Sequence, residues 1–231
     1  MAPSSPVKVV LLDIDVLFPY ALSVLPETLK TQWDSPDFAK YRDAFPSEYS
    51  SSKDALEAHV RDLVERDVKI SYLKSLQGYL WAEGYASGDL KAPLFPDVAA
   101  KLPEWQRKGF KIMIYSSGSV AAQKLFFGHT DASQSDLTPL ISDWFDTVNA
   151  GLKTETDSYK KIANQHPEFS PTEWLFLSDN VKEVEAAIQA GMQSIVVQRP
   201  GNAPLSPEVP QRLRVIETFD SLDDDLNVRT K

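Results

Sequence analysis

A chain of 231 residues can form one large α/β domain or a core with a smaller insert, and 42% apolar with 25% charged residues is ordinary for a soluble globular protein. A net charge of −9 supplies no basic footprint for nucleic acid or an anionic membrane, and the absence of cysteine excludes disulfides and thiolate metal sites. No apolar stretch approaches the ~20 residues of a membrane span and Met1-Ala-Pro-Ser-Ser-Pro6 lacks a basic-then-apolar leader, so a cytosolic protein, able to enter the nucleus by diffusion, is expected.

The first predicted element is an apolar strand over Val7–Leu12, followed by two carboxylates, Asp13 and Asp15. An apolar run ending in acids reads as a buried parallel strand that delivers them to the sheet edge where open α/β folds place their chemistry. The chain then runs straight into Val16-Leu-Phe-Pro-Tyr20, with no glycine-containing turn. The next strand signal lies about a hundred residues on, far beyond a normal crossover of roughly a dozen or more. The interval is helical in pattern: Leu56, Val60, Leu63 and Val64 form an i, i+4, i+7, i+8 stripe, a second candidate helix spans Tyr72–Trp81, and Ser47–Ser52 is expected to be a loop. We therefore expect a helical insert over 17–92, with Pro93 and Pro96 marking the return to a core made of 1–16 and 93–231.

Strands are predicted next at Lys111–Tyr115, Trp174–Leu177 and Gln193–Val197. Ser116-Ser117-Gly118-Ser119 follows the first of these and leads into a helix over Val120–Phe127; such residues expose backbone N–H groups suited to a phosphate, although an ordinary N-cap would look the same. Ser178-Asp179-Asn180 follows the second, and alone it reads as a cap or turn. Val181, Val184, Ala187 and Ile188 then fall at helical spacing, with Gly191 as the stop. Lys153, in a loop, is by itself simply a solvated lysine. Strand-helix-strand order predicts a parallel sheet with crossover helices, an α/β Rossmann-like architecture. His59, His129 and His166 lack metal-ligand spacing and are assigned to packing or capping. The polar end around Asp223-Asp-Asp225 is taken as a solvated tail.

The ordered set Asp13, Ser116, Lys153, Asp179, each just after a core strand or in the loop between two, resembles the signature of the haloacid dehalogenase-like phosphotransferases. That resemblance implies a haloacid dehalogenase-like core with a helical cap inserted after the first strand. It makes Asp13 a nucleophile that needs no deprotonation near neutral pH. Asp13, Asp15 and Asp179 become the ligands of Mg²⁺, a hard cation that keeps waters and takes phosphate oxygen. Ser116, Ser117 and Lys153 would hold substrate and its phosphoryl oxygens, and Asp15 would protonate the leaving alkoxide and later activate water.

A narrower resemblance rests on Ile114-Tyr-Ser-Ser-Gly-Ser-Val120, Ala122-Gln-Lys-Leu125, Phe127-Gly-His129, Phe145-Asp-Thr147 and Val197-Gln-Arg-Pro-Gly-Asn202, with Leu17-Phe-Pro-Tyr20, Thr31-Gln-Trp33 and Leu76-Gln-Gly-Tyr-Leu-Trp81 in the insert. These segments are similar, in order, to the enolase-phosphatases (acireductone synthases) of methionine salvage. The resemblance implies a monomeric, Mg²⁺-dependent enzyme, with no nucleic-acid or membrane partner. It would enolise and then dephosphorylate the small phosphorylated diketone 2,3-diketo-5-methylthiopentyl-1-phosphate. The product would be 1,2-dihydroxy-3-keto-5-methylthiopentene.

One departure stands out. Family members usually read Asp-Ile-Glu-Gly-Thr and continue through a short segment before Asp-Val-Leu-Phe-Pro-Tyr. Here Asp13-Ile14 meets Asp15-Val-Leu-Phe-Pro-Tyr20 directly. Either Asp15 replaces the Glu, or it is the downstream residue after a deletion of about eleven; the second alignment matches more flanking residues. A catalytically impaired relative and a related phosphatase with another small substrate are the alternative readings.

Overall fold

The computed structural model describes residues 6–14, 18–66, 68, 70–87, 91–200, 202, 204–222 and 226. Asp15, expected to share the catalytic and metal-binding work, and the acidic run 223–225 lie outside the described residues. The chain divides into two compact units, 1–15 with 93–231, and 16–92.

In chain order, strand β1 (Val9–Leu12) is followed by the helical unit, comprising α1 (Phe18–Gln32), α2 (Pro36–Arg42), α3 (Ser47–Ser50), α4 (Lys53–Glu65) and α5 (Ser71–Ser87). Its own core gathers Leu25 and Leu29 from α1, Phe38 from α2, Leu56, Val60 and Leu63 from α4, and Leu73, Leu76 and Leu80 from α5. The stripe read at 56–64 is thus the buried face of α4, and Ser52 caps that helix by accepting the Ala55 N–H at 3.3 Å. The segment 47–52 corrects the expectation of a loop: Ser47–Ser50 form one helical turn, with the Tyr49 and Ser50 N–H groups donating to the Pro46 carbonyl. Serine has little helical preference, but Tyr49 stacks on His59 with ring centroids 3.6 Å apart, and that contact outweighs local propensity.

The larger unit continues with α6 (Pro96–Arg107), β2 (Lys111–Tyr115), α7 (Val120–Gly128), β3 (Ile141–Phe145), α8 (Thr156–Gln165), β4 (Trp174–Ser178), α9 (Val181–Gln189), β5 (Gln193–Val197), α10 (Val209–Arg212) and β6 (Val215–Ile216). Pro96 is the first residue of α6, where a missing N–H costs nothing. Gly191 ends the α9 turn with φ of +91°, as its position in the sequence predicts. Among the described residues six strands form one sheet, ordered β3-β2-β1-β4-β5-β6, and every neighbouring pair is parallel. β3 and β6 escaped the sequence reading. Ile141-Ser-Asp-Trp-Phe145 places polar residues inside an edge-side strand, and β6 has only two residues, so neither shows the apolar run of a central strand.

Central strands are buried on both faces. Val9, Leu11, Met113, Tyr115, Trp174 and Phe176 pack with Tyr159 and Ile162 of α8 and with Ala186 and Ala187 of α9. The alternate residues Val10, Leu12, Ile112, Ile114, Leu175 and Leu177 are buried as well. Sheet order then does the positioning. β1 lies between β2 and β4, paired through Leu12↔Ile114 and Leu12↔Leu177, so the residues just after all three strands meet at one edge.

Candidate active site

Asp13 leaves β1 with its N–H donating to the Leu177 carbonyl at 2.9 Å, which extends the β1–β4 ladder by one residue. Its side chain meets Lys153 and Ser178: the Lys153 ammonium donates to Oδ1, and the Ser178 hydroxyl lies 2.9 Å from Oδ2. Lys153 also contacts Glu183 Oε2 at 2.8 Å. Asp13 and Lys153 expose only 6% and 9% of their side chains, and Glu183 10%. One buried cation therefore serves two buried carboxylates.

That shortage of positive charge shapes the protonation of the cluster. Burial opposes charge on Lys153, but Asp13 and Glu183 together hold its proton, and the net shift is upward. Burial pushes the Glu183 carboxyl up to about 7; Asp13 adds to the rise, and Lys153 opposes it. The hydrogen bonding agrees. Ser178 Oγ lies 2.9 Å from both Asp13 Oδ2 and Glu183 Oε2, yet a hydroxyl has one proton to give. With Glu183 protonated, both contacts become hydrogen bonds.

A stability effect follows from this sign. A carboxyl whose folded pKa lies above its unfolded value contributes stability that is complete below about 4.5 and is lost as pH rises through about 7. Urea melts in chelator should give a wild-type midpoint that falls between pH 5 and 8, and Glu183→Gln should flatten that fall. An unchanged slope in the variant would remove Glu183 as its source.

The lysine loop is anchored from below. Tyr115 donates to the Gly151 carbonyl at 2.8 Å and Tyr159 to the Lys153 carbonyl at 2.6 Å. Burial raises the pKa of both phenols, Tyr115 to about 12, so both remain neutral donors. Gly151 between them has φ of +120°, and a Cβ there would sit 2.5 Å from Ser158 Oγ, so the tight approach needs glycine. Asp146 fixes the start of the loop by accepting from the Val120, Val148 and Asn149 N–H groups.

After β2, buried Ser116 donates to the Ile14 carbonyl at 3.2 Å and accepts the Gly118 N–H at 3.1 Å. The helix cap is not Ser116 but Ser119, which accepts the Ala122 N–H. Buried Gln123 pins this loop by donating to the Gly118 and Phe145 carbonyls, both at 2.8 Å. Ser117 is half-buried beside Ser116. After β4, Asp179 follows Ser178 directly and accepts a 2.7 Å hydrogen bond from Asn202.

The structure thus gathers Asp13, Ser116, Ser117, Lys153 and Asp179 at one sheet edge. Glu183 escaped the sequence reading. It lies three residues after the N-cap Asn180, where an acid reads as half of a capping box, and that guise hides its contact with Lys153. Ser178 at the end of β4, Gln123 in α7 and Asn202 after β5 fall in segments that the sequence reading names, but it gives them no partners, since a polar residue carries no signal of what it faces. His129 and His166 follow the last turns of α7 and α8, and His59 packs between Tyr49 and Tyr72, as the bland reading expects.

The donor set suits a hard cation. Carboxylates from the ends of β1 and β4 supply oxygen, and among the described residues no group of three His, Cys, Asp or Glu side chains could hold a metal on its own. Mg²⁺ is ordinarily bound in this way, by one or two carboxylates completed by water and substrate phosphate, rather than in an all-protein cage.

Comparison with known proteins bears on this site. No protein-family model matches the chain. Enolase-phosphatase E1 of Pyricularia oryzae is 64% identical over 230 residues, covering 95% of this chain and all of that one. Since 95% of 231 residues is about 219, some eleven aligned positions of that relative have no counterpart here. The crystal structure of the UTR4 protein of Saccharomyces cerevisiae superposes with a TM-score of 0.76 at 35% identity, over 94% of this chain and 100% of that one. The putative HAD-hydrolase YfnB of Bacillus subtilis, crystallised bound to magnesium, shares the fold at 16% identity, with a TM-score of 0.59 over 97% of this chain and all of that one.

Proposed function

The chain belongs to the enolase-phosphatase family, and from that premise we propose that it converts 2,3-diketo-5-methylthiopentyl-1-phosphate to 1,2-dihydroxy-3-keto-5-methylthiopentene and phosphate, acting as a monomer in the cytosol with access to the nucleus. The observation that carries the reading is the convergence of Asp13, Lys153 and Ser116 on one sheet edge beside Asp179. Asp13 attacks phosphorus, its Oδ–P bond forming as the bond to the C1 oxygen breaks, and water then cleaves the aspartyl phosphate. Lys153 and Ser116 hold the phosphoryl oxygens and spread the charge that develops on them. Bound through Asp13 and Asp179, Mg²⁺ would supply charge neutralisation that lets a carboxylate approach a phosphate dianion. Enolisation requires removal of a C1 proton before the ester is cleaved; the acid/base role expected of Asp15 falls on a residue outside those described.

The direct test is to incubate the full chain with the diketo phosphate, with and without Mg²⁺, following phosphate by colorimetry and the enediol by its ultraviolet absorbance. Both products should appear only with Mg²⁺; phosphate without enediol would mean a different phosphatase.

A second reading, of reduced turnover, is favoured by the missing positions and by a sequence that runs from Asp13 to Pro19 with no glycine for a turn. A displacement near 1 Å at the reacting atoms can cost ~10²-fold in rate. On that reading, inserting a family-length turn between Ile14 and Val16 would raise kcat by a comparable factor.

A further inference from the structure

A buried polar clamp lies two hydrogen bonds away from Asp179, through Asn202, and none of its members belongs to the reacting set. Arg199, in the loop after β5, donates through Nη2 to Asp97 Oδ2 at 2.7 Å and through Nη1 to the Glu217 carbonyl at 2.8 Å. Its guanidinium lies between the rings of Phe95 and Phe219, 4.6 and 4.7 Å from their centroids. Asp97 Oδ2 also accepts the Phe219 N–H at 2.7 Å. Both side chains are about nine-tenths buried, at 10% and 9% exposure. The clamp therefore joins the start of α6, the β5 exit loop and the turn at Phe219–Leu222.

The backbone of Arg199 carries this rigidity to Asn202. The Arg199 N–H donates to Asn202 Oδ1 at 2.6 Å, and the Asn202 N–H returns to the Arg199 carbonyl at 3.1 Å. With its amide oxygen thus occupied, the Asn202 side chain has only its NH₂ to present to Asp179, and Nδ2 lies 2.7 Å from Asp179 Oδ2. Arginine in the clamp is not replaceable by lysine, because a planar fork is needed to stack between two rings while donating to two partners.

From this geometry we infer that Asn202 is a positioning residue for Asp179, held in register by the Arg199–Asp97 clamp, and that it fixes which carboxylate oxygen faces the bound divalent cation. The inference rests on the reading of Asp179 as a cation ligand. Partners that orient a ligand in this way typically contribute 10- to 100-fold in metal affinity.

The test uses Mn²⁺ as a paramagnetic stand-in for Mg²⁺, titrated into the full chain without substrate, with free ion read from its electron paramagnetic resonance signal. Asn202→Ala should bind Mn²⁺ about 10- to 100-fold more weakly than wild type with an unchanged circular dichroism spectrum. Arg199→Lys, which keeps Asn202 but loosens its anchor, should weaken binding by a smaller factor in the same direction, and it carries the test should Asn202→Ala fail to fold. Asp179→Asn is the reference and should abolish binding. Wild-type affinity in the folded Asn202 or Arg199 variant alongside loss in Asp179→Asn overturns the inference and leaves the cation site standing. Wild-type affinity in Asp179→Asn overturns the cation site and the inference together.

Discussion

Replacing Asp13 with Asn should reduce phosphate release from the diketo phosphate by at least ~10³-fold, about 4 kcal/mol of barrier, while leaving the fold intact. Asparagine keeps the shape of the side chain, and Ser178 can still donate to the retained oxygen. What disappears is the anionic oxygen that forms the bond to phosphorus. Lys153 keeps a partner in Glu183, so no buried cation is stranded. Acid-quenching the wild-type chain during turnover of substrate labelled with radioactive phosphate should trap label on protein, and Asp13→Asn should trap none. Equal label in both would move the nucleophile elsewhere.

Lys153→Met should damage both activity and stability, for one electrostatic reason. It leaves Asp13 and Glu183 facing each other in a buried site without their shared cation. Removing one partner of a buried ion pair ordinarily costs about 3–5 kcal/mol, because the remaining charge has neither water nor counter-ion. The loss should be greater at pH 8 than at pH 5, since a proton on Glu183 relieves the repulsion and that carboxyl already titrates near 7. Adding Glu183→Gln should recover much of the stability and none of the activity, since nothing then holds the phosphoryl oxygens from that side. Urea melts of the single and double variants, set beside phosphate release, separate the two effects. A Lys153→Met chain that is as stable as wild type at pH 8 would show that the triad contributes no net stability to the protein.

The two effects converge on the same three side chains. Lys153 is kept charged by two buried carboxylates, Asp13 and Glu183, and on the proposed function the first of these is the nucleophile. On that proposal, phosphate would bring its negative charge to an ammonium that Glu183 already holds in place. The cluster is a structural ion network, and on the proposed function it is also pre-organised, as electrostatic catalysis without reorganisation requires.

Much of the architecture is legible in the residues alone. Val9–Leu12, Lys111–Tyr115, Trp174–Ser178 and Gln193–Val197 are largely apolar runs because central parallel strands are covered on both faces. The helical insert is legible from the stripe of α4 and from the prolines at its return. The family is legible from spaced segments whose order no single motif could supply. Edge strands β3 and β6, the single turn at Ser47–Ser50 and the partners of the loop polar residues are not, because each depends on what lies opposite in space.

What the sequence by itself determined is the inventory: an acid after the first strand, a serine pair after the second, a lysine and a second acid in order, and no glycine-containing turn directly after the first strand. What only the tertiary structure decided is their pairing. Strand order places β1 between β2 and β4, and this brings residues far apart in the chain within hydrogen-bonding distance. Burial then makes the pairing consequential, since in water Glu183 would be a helix-capping acid and Asn202 a turn residue. Within the protein, low polarity and a single shared cation tie Glu183 to Asp13, and a clamped loop ties Asn202 to Asp179.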